Sequence, residues 1–344
     1  MKKISVSLVR FLVGVVFIIS GFVKLVDPIG FSFKLEEYFE PHVLDMPFFI
    51  PYAYPIAIFV VAFELILGVL LLLGYLRNFT LLSLLGLTIF FGFLTFYSAY
   101  YNKVTDCGCF GDALKFTPWG SFTKDMVLLV LAAALWYARG YISPLFSPQK
   151  CLTILVITVV ACMGLVYYTH NHLPIIDFRP YKVGVDINKA KEIPANAPKA
   201  VYDYHWKFKV GDKEQIITTQ GAYPEVEGGT YISVKTELVS KGYEPPVHDF
   251  VIMKDGEDVT NQILAEPKLL LVTSYDLGKA NLEGFRPIKE LTDKALKQGY
   301  KVIGLTPSPE KAQELLGQYG LSFDFYAMDA VSYTHLTLPT SDLV

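Results

Sequence analysis

The stretch AYPIAIFVVAFELILGVLLLLGYL, from Ala53 to Leu76, decides the fold class. It carries a single charged residue, Glu64, and is longer than the roughly 20 apolar residues that cross a bilayer as a helix. The whole set of such segments is Leu8–Val26, Ala53–Leu76, Phe79–Tyr100, Phe122–Ala138 and Leu152–Tyr168. The first is expected to remain as a helix, because no small-residue cleavage site follows it.

The composition supports a membrane assignment. The chain has 344 residues, of which 52% are hydrophobic and 18% are charged, whereas soluble domains carry about 25% charged residues. Most of the charges lie in the second half, which therefore resembles an ordinary polar domain. The net charge of −3 and the absence of a basic stretch argue against nucleic acid as a partner.

The charges that flank the spans predict the orientation, because cytoplasmic loops carry an excess of Lys and Arg. With the N-terminus in the cytoplasm, the inner flanks hold Lys2, Lys3, Arg77, Arg139 and Lys150. The outer loops then hold Asp27, Glu36, Glu37, Glu40, Asp45, Asp106, Asp112 and Asp125. Five spans would carry everything after Tyr168 outside, so we expect a multi-pass protein of the bacterial inner membrane with a periplasmic C-terminal domain.

The sequence Cys107-Gly-Cys-Phe-Gly111 lies in an outer loop of this topology. Two thiols on the oxidising side suggest disulfide exchange, and Gly108 and Gly111 allow the tight turn that a disulfide between Cys107 and Cys109 would need. A structural disulfide is the main alternative. We predict no metal, because Cys-x-Cys lacks the usual ligand spacing and no histidine is near. Cys151 and Cys162 are expected to be structural.

Glu64 is the second candidate site residue. A charge buried in a span costs about 2.5 kcal/mol or more, so Glu64 should face the bundle and find a partner. Arg10 and Lys24, at different depths of the first span, are the candidate partners. The group is either a proton or quinone-headgroup site coupled to the thiols, or a structural ion pair that orders the helices.

The second half of the chain predicts a different architecture. His170–Ala200 reads as a tether, and Tyr204–Val210 and Tyr231–Thr236 read as strands. In the first half, Phe31–Phe39 follows the first span and reads as an amphipathic surface helix. From Lys268 onward the pattern alternates between buried strands and helices, which favours an α/β unit with at least partly parallel pairing. Its expected elements are Leu269–Val272, Pro287–Gln298, Lys301–Gly304, Pro309–Tyr319 and Phe323–Ala327.

The last residues do not continue this pattern. Val331–Thr340 reads as the translation of a transposase-based sequencing adapter, so we expect residues 331–344 to be an artefact and the natural chain to continue beyond Ala330.

Spans one to four resemble the DoxX-like and MauE-type (methylamine utilisation) redox-associated membrane proteins. The matching motifs are Arg10–Gly14 (RFLVG), Ser20–Leu25 (SGFVKL), Glu37–Phe39 (EYF), Phe63–Gly68 (FELILG) and Cys107–Gly111 (CGCFG). The resemblance implies a membrane all-α domain with a four-helix bundle, here extended by a fifth transmembrane helix. The unit from Lys268 resembles a thioredoxin-like domain, although Ser274–Leu277 stands where such a domain presents Cys-x-x-Cys.

The predicted organisation follows from this resemblance. Residues 1–140 would form the DoxX/MauE-like domain, 141–172 the fifth helix, 173–266 a linker and β-rich segment, and 267–330 an incomplete thioredoxin-like domain. The function expected from the resemblance is thiol:disulfide or quinone-linked oxidation, with Cys107 and Cys109 acting on exported client thiols and quinone as the electron acceptor. The alternative is a non-enzymatic membrane anchor or assembly factor.

Overall fold

The computed structural model describes residues 2–328 except 102, 105–107, 109, 115, 212, 241, 249, 275–276 and 278–281. Cys107, Cys109 and residues 331–344 lie outside the described residues, so the expectations about them stay predictions.

Six helices make up the first half of the chain. They are α1 (Lys2–Val26), α2 (Pro28–Phe39), α3 (Ala53–Leu73), α4 (Arg77–Tyr101), α5 (Pro118–Tyr137) and α6 (Pro148–Asn171). All except α2 are long and apolar enough to cross a membrane, which confirms the five predicted spans. The helix α2 confirms the predicted helix at Phe31–Phe39, and starts where the Asp27 carboxylate accepts a hydrogen bond from Gly30 N at 2.9 Å.

Close helix packing forms the bundle. The helix α1 runs along α3, and α4 runs along α5. Glycines allow the first pair to approach: a Cβ atom added at Gly21 would lie 2.8 Å from Leu65 N, and one added at Gly68 would lie 2.8 Å from Ile18 Cγ1. Gly74 ends α3 with φ of 66°, in the left-handed region that favours glycine, and the chain reverses into α4 within a few residues.

The second half contains two sheets. After the short helix α7 (Ile187–Lys191), the strands β1 (Val201–Val210), β2 (Lys213–Thr219) and β3 (Gly229–Ser240) form an antiparallel sheet in the order β2-β1-β3. The predicted strands at Tyr204–Val210 and Tyr231–Thr236 lie within β1 and β3, whereas β2 was not predicted.

The second sheet has the order β5-β4-β8-β7-β6. The strands of this sheet and the helices between them are β4 (Ile252–Lys254), β5 (Glu257–Asp258), α8 (Thr260–Leu264), β6 (Leu269–Thr273), α9 (Phe285–Lys297), β7 (Lys301–Thr306), α10 (Ala312–Tyr319) and β8 (Phe325–Met328). The strands β6, β7 and β8 are parallel, which confirms the predicted pairing, and β4 runs antiparallel to β8.

The segment expected to be a tether takes part in this second fold. Tyr181, Ile187 and Ala190 pack against a core that contains Phe250, and Lys191 Nζ donates a hydrogen bond to the Phe250 carbonyl at 2.8 Å. The chain between α6 and β1 is therefore partly folded against the second sheet, because its apolar residues complete that core.

Candidate functional site

Glu64 of α3 and Lys24 of α1 form an ion pair inside the bundle. Glu64 Oε2 lies 2.5 Å from Lys24 Nζ, and the two residues are 4% and 2% exposed. The same Glu64 oxygen has no well-aligned hydrogen-bond donor among the described residues, so the contact is an ion pair and not a good hydrogen bond. The Lys24 ammonium also lies 5.4 Å from the ring centre of Phe31 and 4.8 Å from that of Phe91, both favourable cation–π contacts.

Arg10 lies elsewhere. Its guanidinium donates hydrogen bonds to the carbonyls of Leu72 at 3.0 Å and Ser143 at 3.2 Å. Of the two candidate partners, the structure therefore pairs Lys24 with Glu64. Arg10 instead holds the chain after α5 against the end of α3.

Asp125 corrects the sequence interpretation. The charge pattern predicts Asp125 in an outer loop, although the residue lies near the start of the predicted span Phe122–Ala138. The structure places Asp125 inside α5 with 2% exposure. Its Oδ1 atom lies 2.7 Å from Lys124 Nζ, and its Oδ2 atom is 3.0 Å from the Thr95 hydroxyl. Charge counting missed the burial of Asp125 because the rule counts charged residues near the ends of spans and does not consider which helix face they occupy.

A periodicity signal could have found it. The buried residues of α5 are Ser121, Asp125, Ala132 and Leu135, which recur at the spacing of one helix face. An aspartate in register with inward-facing residues is expected to be buried and paired.

The two ion pairs meet at one cavity. Its volume, about 20 Å³, is enough to hold about one water molecule. Lys24 and Glu64 line it together with Lys124 and Asp125. Ser20 and Thr88 add hydroxyl groups, so four helices converge on one polar site within an apolar bundle.

The residues that flank the cysteines pack over this polar site. A Cβ added at Gly108 would lie 3.9 Å from Phe31 Cδ2, and Phe31 is one of the rings beneath Lys24. The ring centre of Phe110 lies 5.3 Å from Lys124 Nζ. Gly108 and Gly111 have φ of 60° and 50°, and Gly111 N donates to the Gly108 carbonyl at 3.0 Å, as in a tight turn.

The two remaining cysteines belong to α6. Cys151 and Cys162 are free and buried in α6. Within the described ranges, no group of three or more His, Cys, Asp and Glu side chains is arranged to hold a metal.

The helices and the buried charges define a multi-pass membrane protein with a polar site in its first helical bundle. Residues 2–138, which contain α1 to α5, match the family model of methylamine utilisation protein MauE, the resemblance that the motifs had suggested. The match ends before α6 and the two sheets. No curated protein and no solved structure matches the chain.

Proposed function

We propose that this chain is an integral membrane thiol-redox protein that forms or exchanges disulfides in exported clients. The observation that carries the proposal is the position of the residues on either side of Cys109. Phe110 lies against Lys124, and Gly108 lies beside Lys34 and Phe31 of α2. Charged groups inside membrane spans are costly and mostly functional, so two ion pairs next to such a loop favour a redox role over simple anchoring.

The chemistry has two steps. A disulfide between Cys107 and Cys109 oxidises a client dithiol and becomes a dithiol itself. The dithiol then closes again, passing two electrons and two protons to a quinone in the membrane, which becomes a quinol. The cavity has room for about one water, so we place the quinone at the lipid-facing surface of the bundle.

Arginine contacts support the proposed orientation in a bacterial inner membrane. Arg10 donates to the Ser143 carbonyl, and Arg77 donates to the carbonyls of Arg139 and Ile142. Three arginines thus gather at the bundle end opposite the cysteine loop, and the positive-inside rule makes that end cytoplasmic. The loop and the C-terminal sheets would then be periplasmic.

We propose that residues 267–330, which contain β6, β7 and β8, form a thioredoxin-like domain that positions the client. Its parallel strands β6, β7 and β8, with helices in their connections, support this assignment. All four cysteines precede residue 163, so residues 267–330 carry no thiol, and binding is the role that we propose for them.

One observation favours the second candidate, a membrane anchor or assembly factor. The strand β1 carries Tyr202, Tyr204 and Trp206 along one face, with adjacent ring centres 6.4 Å and 6.0 Å apart. Tyr202 is exposed. Such an aromatic row is typical of a binding surface, and in this alternative the sheets would be the working part while the cysteines form a structural disulfide.

The test is the redox state of the loop pair in native membranes. A background with Cys151→Ala and Cys162→Ala leaves only Cys107 and Cys109 to react. Thiols are trapped with acid and tagged with a mass-shifting maleimide, first as isolated, then after mild reductant, then after a quinone analogue. We expect tagging after mild reduction and loss of tagging after quinone.

An impermeant maleimide applied to intact spheroplasts tests the location of the same thiols. Labelling from outside is expected once the pair is reduced. Cys109→Ser should abolish client oxidation and keep Cys107 reactive throughout. A pair that resists reductant until the protein unfolds would instead identify a structural disulfide and support the anchor function.

A further inference from the structure

We propose that Asp125 is the proton-transfer residue of the bundle and that Thr95 is its positioning residue, able to reverse its hydrogen-bonding role. The inference rests on the proposed function, since the protons in question are those released when the Cys107–Cys109 dithiol closes. It assigns that role to Asp125 and not to Glu64.

The contacts of Thr95 carry the proposal. Its hydroxyl lies 3.0 Å from Asp125 Oδ2, 3.0 Å from the Phe91 carbonyl and 3.3 Å from the Gly92 carbonyl. A hydroxyl has one hydrogen to donate but can also accept. When Asp125 is ionised, Thr95 donates to Oδ2. When Asp125 is protonated, Oδ2 donates to Thr95, which turns its own hydrogen to the Phe91 carbonyl.

Both protonation states of Asp125 are therefore satisfied without any movement of the helices. This matters because an unsatisfied buried polar group is costly, and that cost would otherwise hold the carboxyl in one protonation state. Thr95 is 1% exposed, so no bulk water substitutes for it.

Glu64 offers no such reversal. Its Oε2 atom faces the Lys24 ammonium at 2.5 Å and has no aligned donor in the described part of the chain. An ammonium carries only donors, so a protonated Glu64 could not donate to it. Asp125 also faces an ammonium, Lys124 at 2.7 Å from Oδ1, but its Oδ2 atom meets a hydroxyl that can accept a hydrogen bond. On these contacts Asp125 suits a changing charge, and the paired Oε2 atom of Glu64 suits a fixed one.

Each helix around the cavity contributes charged or polar side chains. Lys24 comes from α1 and Glu64 from α3, while Lys124 adjoins Asp125 on α5. The helix α4 contributes Thr88 and Thr95. With two lysines and two carboxylates the site is neutral when Asp125 is ionised, and the charge of Lys24 remains paired when Asp125 takes up a proton.

The proton route starts near the thiols. Asp125 lies seven residues into α5, about 10 Å below the end of the helix that faces the loop. Ser121, one turn closer to the loop on the same face, is 1% exposed, and its hydroxyl has no hydrogen-bond partner among the described residues. Ser121 is therefore the polar group on this face that we place between the loop and Asp125 on the proposed route.

The balance of the step is simple. Closure of the dithiol breaks two S–H bonds, forms the S–S bond, and yields two electrons and two protons. The quinone accepts the electrons, and each proton in turn passes through Asp125 to the quinone oxygen. Asp125 ends in the state in which it began.

The first test measures protonation directly and needs no redox activity. Infrared difference spectra of the full-length protein in lipid are recorded between neutral and acid pH, in H2O and D2O. We expect a carboxylic acid carbonyl band that is absent in Asp125→Asn and shifted in Thr95→Val, because the hydrogen bond to Thr95 is lost. Thr95→Ser should keep the wild-type position. A band that Thr95→Val leaves unmoved would overturn the reversal.

The second test measures reoxidation of the reduced loop pair by a quinone analogue. Asp125→Asn should slow it by about tenfold or more. Proton transfer by a side chain typically contributes roughly a hundredfold to ten-thousandfold, and water is expected to replace part of that contribution here. Thr95→Val should slow it and flatten its pH profile, and Thr95→Ser should restore both. Thr158→Val is the matched control, since Thr158 donates only to the Ile154 carbonyl of its own helix.

The two tests separate the inference from the function beneath it. If the wild-type pair never reoxidises with quinone, the proposed function fails, and the infrared bands still decide whether Thr95 and Asp125 exchange roles. If the pair reoxidises and Asp125→Asn matches wild type at every pH, the function stands and Asp125 is only structural.

Discussion

Two ion pairs with nearly equal geometry lie in very different surroundings. Lys24 and Glu64 are 2.5 Å apart in the bundle, with side chains 2% and 5% exposed. Lys207 and Glu214 are 2.6 Å apart on the β1–β2 hairpin, with side chains 35% and 59% exposed. The distances alone would suggest that the two pairs contribute equally to stability, but their different burial means that they do not.

The difference follows from solvation. Water and salt compete with the hairpin pair, and exposed pairs contribute about 0–1 kcal/mol. In the bundle both charges have already lost their water, so each depends on the other and removal of one leaves a buried charge. Proteins keep such costly groups inside membranes mostly for function, which is why the buried cluster, and not the sheet, identifies the candidate site.

The largest expected effect comes from breaking the buried pair on one side. Lys24→Met should destabilise the bundle by about 3–5 kcal/mol, because Glu64 is left without a counter-charge. Thermal unfolding in detergent, followed by helical circular dichroism, measures the loss. The double variant Lys24→Met with Glu64→Leu removes both charges and should recover most of the stability. A single variant as stable as wild type would show that water reaches Glu64.

The next effect tests the packing that keeps water out. Gly21→Ala should cost about 1–3 kcal/mol, since its Cβ would lie 2.8 Å from Leu65 N and 3.0 Å from Leu65 Cα, backbone atoms that cannot yield without moving α3. Gly86→Ala is the matched control in α4. No atom lies within 4 Å of its Cβ position, so alanine should be neutral or gain up to about 1 kcal/mol of helix propensity.

The same unfolding assay compares the two alanine variants. Equal melting temperatures would mean that α1 and α3 separate easily. Water would then reach Lys24 and Glu64, contrary to the burial described above.

The sequence predicted the bundle better than the site. Five spans were visible because apolar runs of bilayer length are a strong signal, and the parallel pairing of β6, β7 and β8 followed from alternating strands and helices. Asp125 was misplaced because it lies near the outer end of the predicted span Phe122–Ala138, where charge counting assigns an acidic residue to the loop, while its burial depends on Thr95, thirty residues away. The strand β2 was missed because its side chains are mostly exposed and its register is set by β1.

The smallest expected effect is at the hairpin pair, and it completes the comparison. Lys207→Ala should destabilise the β1–β2 hairpin by less than about 1 kcal/mol, and Glu214→Ala should do the same, with a coupling energy near the lower end of the range for exposed pairs. Hydrogen exchange of the β1 and β2 amides in the full-length protein resolves this local effect. Raising the salt concentration should remove the coupling, because exposed charges are screened, while the cost of Lys24→Met should not change. A salt-resistant coupling at Lys207 and Glu214 would mean that a partner surface covers this hairpin in the membrane-bound protein.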